Sequence, residues 1–200
     1  MQFRHGLVLL VLVLNACTGV AVKEPVAEGK AIYLQRADII STIQTWSFAG
    51  KISLDDGEQG GSGSLRWNVS PDSSELDFHG AMGRGAWHLH IGEDFAVLTE
   101  ANGTEQSATS VDDLVHRRIG WPLPVDALQW WVRGLRAPGA ITDEQYDAQG
   151  LLIHLEQFGW NIDINRYKVF AGLQLPIRLD ARRGEYRVKM AIGRWQMNRP

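Results

Sequence analysis

His88 and His90 alternate along one predicted strand, so both imidazoles project from the same face, with His79 nearby in the sequence. Two imidazoles on one face could chelate a metal ion, but a zinc site needs a third protein ligand and a supporting carboxylate. The sequence contains no His-Glu-x-x-His motif and no second cysteine. The pattern therefore favours histidines on a solvated sheet face, and we predict no metal site.

A serine nucleophile and a phosphate-binding loop are not supported either. The segment "GGSGS" at 60–64 lacks the final glycine of Gly-x-Ser-x-Gly and lies between two predicted strands. The segment "GAMGRG" lacks the lysine and the following helix of a phosphate-binding loop. The acid pair Asp112-Asp113 falls at a predicted helix start, where capping explains it. We therefore predict a protein that is not an enzyme and has no cofactor.

The tryptophans, 8 in all, are the residues most suggestive of a ligand. Trp46, Trp67 and Trp87 each lie on the apolar face of an alternating stretch, where filling the core explains most of them. A sheet face that helices cover only partly can also leave an apolar pocket. Such a pocket could hold acyl chains, and stacked tryptophans could equally bind sugars, so both ligand classes stay open.

Composition indicates one folded domain. The chain has 200 residues, of which 44% are hydrophobic and 22% charged, as in ordinary globular proteins. Its 21 glycines, scattered among alternating stretches, indicate a β protein rich in turns. The formal net charge is -3, so no basic excess is available to neutralise phosphates. We predict no nucleic-acid partner.

The N-terminal segment is typical of a secretory signal. Arg4 precedes an unbroken apolar run over 7–14, which is too short to span a bilayer as a stable helix. The following "LNAC" resembles a bacterial lipobox, which implies cleavage after Ala16 and lipid attachment to Cys17. Cys17 is the only cysteine in the sequence, so its modification would leave no free thiol. The alternative is an ordinary signal that happens to end near a cysteine.

These features predict three regions. Residues 1–16 form a lipoprotein signal peptide that is removed, 17–30 form a lipid-anchored tether, and 31–200 form a single domain. Thr18 follows the cysteine, and it is not the aspartate that retains lipoproteins in the inner membrane. By resemblance to the sorting rules of enteric-type bacteria, this implies an outer-membrane lipoprotein that faces the periplasm.

The elements of the domain follow from its periodicity. Isoleucines near helical spacing predict an amphipathic helix over about 31–45, and alternating stretches then predict a β-meander. The glycine-rich segment 57–64 indicates a flexible loop. Ser110 offers an N-cap for a helix over 111–119, and Pro124 suits the first turn of a second helix.

Strand-like alternation returns after these helices and continues to the C-terminal end. Strands therefore occur in runs on either side of the helices, without β-α-β alternation. This order predicts an α+β fold with a curved antiparallel sheet and helices packed on one face.

Several segments together resemble the LolB family of outer-membrane lipoproteins. They are "WSFAGKISL", "GSLRW", "GAMGRGAWHL", "IGWPLPVDALQWWVRGL", "FGWNIDINRY" and "LPIRLDARRGEYRVKMAIGRW". The resemblance runs from about residue 17 to 195, and the segment with "GWPLPVDALQWWVRGL" is the most specific part. It implies an incomplete β-barrel whose open side is covered by helices over a hydrophobic cavity.

The resemblance also implies an activity and partners. Members of the family accept triacylated lipoproteins from the soluble periplasmic carrier LolA and insert them into the inner leaflet of the outer membrane. The implied contacts are a LolA-type carrier, the acyl chains of the cargo and the outer membrane, with the protein acting as a monomer. The second interpretation is a lipid-anchored periplasmic module that binds a glycan or a free lipid.

Two sets of site residues follow from the resemblance and the strand pattern. Ala81, Met82 and Gly83 fall on the family's loop between two early strands, which projects an apolar side chain into the membrane. Met82 stands where the family usually has leucine, and methionine is apolar and flexible enough to replace it. The residues predicted to line the cavity are Trp46, Phe48, Trp67, Phe78, Trp87, Leu89, Leu128 and Trp131.

Overall fold

A computed structural model describes residues 25–81, 85–120 and 122–198. Helices in this described part are α1 (Pro25–Ser41), α2 (Val111–Ile119) and α3 (Val125–Trp131). The strands are β1 (Thr45–Asp55), β2 (Gly60–Val69), β3 (Ser74–Gly80), β4 (Trp87–Ile91), β5 (Ala96–Glu100), β6 (Glu105–Ala108), β7 (Asp143–Tyr146), β8 (Leu152–Gln157), β9 (Trp160–Phe170), β10 (Leu173–Arg183) and β11 (Tyr186–Asn198). The predicted Cys17, Met82 and Gly83 lie outside the described residues.

All these strands belong to one antiparallel sheet with the order β6-β5-β4-β3-β2-β1-β11-β10-β9-β8-β7. Strands that are consecutive in sequence are neighbours in the sheet, except at the centre, where β1 pairs with β11. In the described part of the chain β6 and β7 are the edge strands and do not pair with each other, so the sheet is not closed into a barrel. The predicted α+β fold with an incomplete antiparallel barrel is confirmed.

The two faces of the sheet differ sharply in polarity. In β1 the side chains of Trp46, Phe48 and Ile52 are buried, whereas Ser47 and Lys51 lie on the opposite face. Successive side chains of a strand point to opposite faces, so this alternation needs no other cause. We call the face with Trp46 the inner face and the face with Lys51 the outer face.

A β-bulge keeps the central pair of strands in register with this pattern. The register between β1 and β11 shifts between Ala49 and Gly50, and Gly193 is the extra residue of β11. Because of this insertion, Ile192 and Trp195 are both buried although three positions separate them. A Cβ atom at Gly50 would lie 2.5 Å from a backbone oxygen of β11, so this inner position requires glycine.

The glycine-rich segment differs from its prediction. Residues 60–64 are not a flexible loop but the first half of β2; all of them pair with β1, and Gly63 and Ser64 also pair with β3. A Cβ atom at Gly63 would lie 2.5 Å from the ring of Phe78. The ring therefore rests on bare backbone, and glycine is needed here for packing rather than for flexibility.

Helices α2 and α3 lie over the inner face of the sheet. In the chain they fall between β6 and β7. The hydroxyl of Ser110 accepts a hydrogen bond from the amide of Asp113 at 3.2 Å, which confirms the predicted N-cap. Gly120 ends α2 in the left-handed conformation that favours glycine. Helix α2 packs on β5, β6 and α3.

Helix α1 begins earlier than predicted. It starts at Pro25, which is favourable at a first helical position, and ends at Ser41. Its early turns belong to the folded domain, because the ammonium of Lys30 lies 2.6 Å from the carboxylate of Glu144 in β7. Residues 25–30, predicted as part of the tether, are therefore helical. No helix among the described residues has the length and apolarity that crossing a bilayer requires.

Candidate functional site

An apolar cavity of about 30 Å³ lies between the inner face of the sheet and the segment that contains α2 and α3. Four neighbouring strands, β1 to β4, form one wall, and the helical segment forms the other. Every residue that lines it is apolar: Ile52, Leu54, Leu65, Leu76, Phe78, Trp87, Leu89, Val115, Leu123, Val125 and Leu128.

This volume is too small for an acyl chain. Binding pockets for small molecules usually measure roughly 300–1,000 Å³, an order of magnitude more. The apolar lining offers no hydrogen-bond partner to water, so the cavity is of the kind that stays dry. A long apolar ligand could enter only if the helical wall moves away from the sheet.

Four of the residues predicted for the cavity line it in the structure: Phe78, Trp87, Leu89 and Leu128. Leu89 and Leu128 are buried, whereas Phe78 and Trp87 are half-buried. The rings of Phe78 and Trp87 stack with their centroids 5.3 Å apart and their planes 18° apart. This stacked pair forms the rim of the cavity.

Three predicted residues of the sheet, Trp46, Phe48 and Trp67, lie elsewhere. They form an aromatic cluster with Trp195, in which the centroids of Trp46 and Trp67 are 5.7 Å apart and those of Phe48 and Trp195 are 5.2 Å apart. Tilted rings at these distances are a favourable packing arrangement. The cluster fills the core at the start of β1 and does not line the cavity.

Trp131 is also outside the cavity lining and anchors α3 instead. Its indole nitrogen donates to the side-chain oxygen of Gln157 in β8 at 3.0 Å. The same Gln157 is completely buried, accepts from the amide of Ala137 at 3.1 Å and donates to its carbonyl at 2.8 Å. These bonds fix the C-terminal end of α3 on the sheet.

Most of the cavity lining is aliphatic, and sequence reasoning missed it. The sheet residues involved share their strand faces with the predicted aromatic residues: Ile52, Leu54, Leu65 and Leu76. The alternation along the strands therefore signalled these aliphatic residues as well. Only the aromatic residues and Leu89 were selected from these strand faces. The helical residues Val115, Leu123 and Val125 had no comparable signal, because a short helix does not reveal which face meets the sheet.

The N-terminal ends of α2 and α3 are linked by one hydrogen bond. The carboxylate of Asp112 in α2 accepts from the amide of Val125 in α3 at 2.7 Å. Burial raises the pKa of the Asp112 carboxyl above its usual range, although this hydrogen bond opposes the shift. Asp112 therefore couples the two helices that cover the cavity.

Arg133 follows α3 and is buried without an acidic partner. Its guanidinium carbon lies 5.2 Å from the ring centroid of Trp46 and 4.9 Å from that of Trp130, and its Nε donates to the carbonyl of Gln129 at 3.0 Å. Within the described residues, no carboxylate lies within 4.0 Å of it. Burial lowers the pKa of Arg133 to about 10.

The predicted membrane loop adjoins the rim of the cavity. Strand β3 ends at Gly80 and β4 begins at Trp87, so the connecting turn directly follows and precedes strands that line the cavity. Of the predicted loop residues only Ala81 is described, and it is exposed. The described ends of this turn therefore adjoin the two strands that carry the stacked pair of Phe78 and Trp87.

The histidines of β4 lie on the outer face and bind carboxylates. His88 Nε2 is 3.0 Å from Glu75 Oε2 and its Nδ1 is 2.9 Å from Asp77 Oδ1, while His90 Nδ1 is 2.6 Å from Glu75 Oε1. Across residues 25–81, 85–120 and 122–198, no group of three or more histidine, cysteine or acidic side chains could hold a metal ion.

Comparison with known proteins identifies a family and several relatives that are similar in sequence to this chain. Residues 44–195 match the profile of the family described as outer membrane lipoprotein LolB. The outer-membrane lipoprotein LolB of Pseudomonas syringae is 34% identical over 200 residues, covering 98% of this chain and 97% of that protein. The LolB of Stutzerimonas stutzeri is 33% identical over 190 residues, covering 94% of this chain and 92% of that protein.

Solved structures of low sequence identity share the fold. A domain from Vibrio parahaemolyticus described as an outer membrane lipoprotein-sorting protein has a TM-score of 0.54 at 9% identity, covering 86% of this chain and 92% of that one. A LolA-superfamily protein from Nitrosomonas europaea has a TM-score of 0.50 at 8% identity, covering 84% and 93%. The profile match extends over most of the chain, and the chain therefore belongs to the LolB family of outer-membrane lipoproteins.

Proposed function

We propose that this protein accepts triacylated lipoproteins from a soluble LolA-type periplasmic carrier and inserts them into the inner leaflet of the outer membrane. The observation that carries the proposal is the wholly apolar cavity under α2 and α3 in a chain of the LolB family. An acyl chain is the ligand that such a lining suits, because it presents no group that needs a hydrogen bond.

The energetics of a handoff between proteins agree with this role. Exposing an acyl chain to water costs about 0.8 kcal/mol for each methylene group. Passing the chain from one apolar cavity to another avoids most of this cost, so a modest difference in affinity sets the direction. Neither a nucleotide nor a metal ion is required for such a step.

Entry of the acyl chains requires the cavity to open. The end of α3 that contains Trp131 is fixed by Gln157, whereas the cavity is lined by Val125 and Leu128 nearer its start. Because Asp112 ties α2 to the start of α3, these segments would swing away from the sheet together. The fixed end of α3 then serves as the hinge.

Release of the cargo takes place at the membrane in this proposal. The lipid on Cys17 holds the protein at the outer membrane, and Met82 with its neighbours Ala81 and Gly83 enters the lipid interface. The turn begins at the rim formed by Phe78 and Trp87, which would let acyl chains leave the cavity close to the bilayer.

A transfer assay with Cys17→Ala tests the proposal. A purified carrier loaded with a triacylated lipoprotein is mixed with the lipid-free variant, and the cargo is followed by co-purification. We expect transfer, because the anchor holds the receptor at the membrane and does not build the cavity. A folded variant that takes no cargo would contradict this division of roles.

The same preparation distinguishes the glycan-binding alternative. Trp46 and Trp67 are only 3% and 1% exposed, so neither ring offers a surface on which a sugar could stack. We expect tryptophan fluorescence to respond to a loaded carrier and not to oligosaccharides. A sugar-specific response without cargo transfer would favour the glycan module.

A further inference from the structure

A groove of about 710 Å³, with both polar and apolar lining residues, crosses the outer face of the sheet, on the side opposite the cavity. A second groove of about 540 Å³ shares four lining residues with it: Lys51, Ser64, His79 and Ala191. The two together run across β9, β10, β11, β1, β2 and β3. We call them the outer groove.

The outer groove is lined by cations that have no acidic partner. They are Lys51, Arg66, Arg178, Lys189 and Arg194. All of them are exposed, and among the described residues no carboxylate lies within 4.0 Å of any of their charged nitrogens. The chain as a whole carries a net charge of -3, so this basic surface is a local concentration of charge.

The two carboxylates that line the outer groove, Asp180 and Asp77, form hydrogen bonds with side chains other than these cations. Asp180 accepts hydrogen bonds from both Arg182 and Arg187, with its Oδ2 3.1 Å from Arg182 Nη2 and 2.5 Å from Arg187 Nη2. Asp77 lies 2.9 Å from His88 Nδ1. Asp180 is therefore neutralised by two arginines and Asp77 is hydrogen-bonded to a histidine, so neither carboxylate pairs with the five cations, which remain free to bind an anion.

The outer groove lies at the base of the turn after β3. One row of paired residues crosses the four neighbouring strands β11, β1, β2 and β3. In this row Met190 pairs with Ile52, Ile52 with Gly63, and Gly63 with Gly80. Lys51 and Lys189 are each one residue from this row, which is about 3.3 Å along a strand. Gly80 and Ala81, which lead into the turn, line the outer groove themselves.

We propose that the outer groove binds the phosphates of anionic phospholipid headgroups when the adjoining turn enters the bilayer. This inference rests on the proposed membrane step, because that step brings the turn to the lipid. Because Gly80 and Ala81 line the same groove as Lys51 and Lys189, insertion of the chain that follows Ala81 would bring these lysines toward the headgroups. Their charges, with Arg178 and the hydroxyl of Ser64, match the chemistry of a phosphate group.

Small residues shape the groove for such a group. Its floor includes Ser53, Ser62, Gly63, Ser64 and Ala191, so the surrounding longer cations stand above a shallow depression. The ammonium of Lys51 already donates to the hydroxyl of Ser64 at 2.7 Å, which holds it over this floor. The bound headgroups would orient the protein with its turn toward the bilayer.

The test compares two charge-matched double variants of the Cys17→Ala protein in flotation with vesicles. Lys51→Gln/Lys189→Gln removes two cations of the outer groove. Arg117→Gln/Lys168→Gln removes two exposed cations on α2 and β9 as a control, neither of which has a carboxylate within 4.0 Å among the described residues. The vesicles contain zwitterionic phosphatidylcholine and phosphatidylethanolamine, either alone or with phosphatidylglycerol added.

We expect the groove variant to lose roughly 25-fold in affinity for the anionic vesicles, at roughly fivefold for each cation. The control variant should bind them as the parent protein does, and all three proteins should bind the zwitterionic vesicles equally. Equal losses in both variants, or no loss in either, would overturn the proposal. Full competition by glycerol phosphate at matched ionic strength would also overturn it, because the groove would then bind soluble phosphate.

Cargo transfer in solution separates this inference from the proposed function. We expect the groove variant to take a lipoprotein from the carrier as well as the parent protein does, since no membrane is present. If it fails to do so while the parent succeeds, the groove serves a protein contact and the lipid assignment is wrong. If the parent itself takes no cargo, the proposed function fails, while the vesicle result still decides what the groove binds.

Discussion

The guanidinium carbon of Arg133 lies 5.2 Å from the ring centroid of Trp46, inside the core and without an acidic partner among the described residues. Burial lowers the pKa of Arg133 from 12.5 to about 10, which corresponds to a cost of about 3 kcal/mol for keeping it charged. The cation–π contacts with Trp46 and Trp130 each stabilise the charged form by about 0.5–2 kcal/mol. The two effects nearly cancel, so the charge itself adds little to stability.

Replacing Arg133 tests this balance. We expect Arg133→Met to unfold with a free energy within about 1 kcal/mol of the wild type, because it keeps an apolar stem between the two rings. Arg133→Ala should lose about 2–4 kcal/mol, because it leaves the space empty. Urea denaturation measures both values. A loss in the methionine variant as large as in the alanine variant would show that the charge is the stabilising feature.

The cavity predicts different effects for two equally buried leucines. Leu89 and Leu155 are both fully buried, but only Leu89 lines the cavity. Each leucine-to-alanine variant should lose about 2–5 kcal/mol of stability. Leu89→Ala should also bind more of a hydrophobic fluorescent probe, because it enlarges a cavity that already exists. The same probe binding in Leu155→Ala would place the ligand somewhere other than under α2 and α3.

Asp112 should couple α2 to α3 through its acceptor oxygen rather than its charge. Asp112→Asn keeps an oxygen for the amide of Val125 and removes a charge that burial disfavours, so at neutral pH it should be at least as stable as the wild type. Asp112→Ala leaves that amide without its acceptor and should lose about 1–3 kcal/mol. Equal stability of the alanine variant would show that the bond does not hold the helices together.

Acidification adds a second test at Asp112. Because its pKa is raised in the folded protein, the folded state binds a proton more readily than the unfolded state. The unfolding free energy of the wild type relative to Asp112→Asn should therefore increase as the pH falls from neutral. It should level off below the unfolded value of about 3.9. A difference that shrinks on acidification would have the opposite sign and would refute the assignment.

Met82 should act in delivery and not in uptake. Met82→Glu should still take cargo from the carrier but should fail to release it into liposomes, because a charge in the lipid interface is unfavourable. Met82→Leu should deliver normally. Phe95→Glu is the matched control, since Phe95 is 52% exposed in a turn at the opposite end of the sheet. Normal delivery by a folded Met82→Glu protein would remove this residue from the mechanism.

Local sequence signals predicted the elements better than the site. The N-cap at Ser110 could be read directly, because a cap depends on residues only a few positions apart. The glycines at 60–64 could not, because a flexible loop and a strand under an aromatic ring look alike in sequence. What distinguishes them is the ring of Phe78 from the next strand, which packs on Gly63.

The tryptophans illustrate the same limit at the site. Trp46, Trp67 and Trp87 all alternate correctly, and all three lie on the inner face or its rim. Only Trp87 reaches the cavity, because Trp67 packs on Trp46, and Trp46 in turn packs on Trp195, a residue more than a hundred positions away from it. The order of the strands decides this, and periodicity carries no information about it.

The family, the antiparallel sheet and its apolar face follow from the sequence alone, because alternation, caps and family motifs are local properties of the chain. The position of the cavity depends on how the segment with α2 and α3 folds back over β1 to β4, and the basic groove on the outer face depends on the pairing of β1 with β11. That pairing joins the first and last strands and brings Lys51 beside Ala191. Contacts between residues so far apart arise only when the chain folds, so only the tertiary structure could decide them.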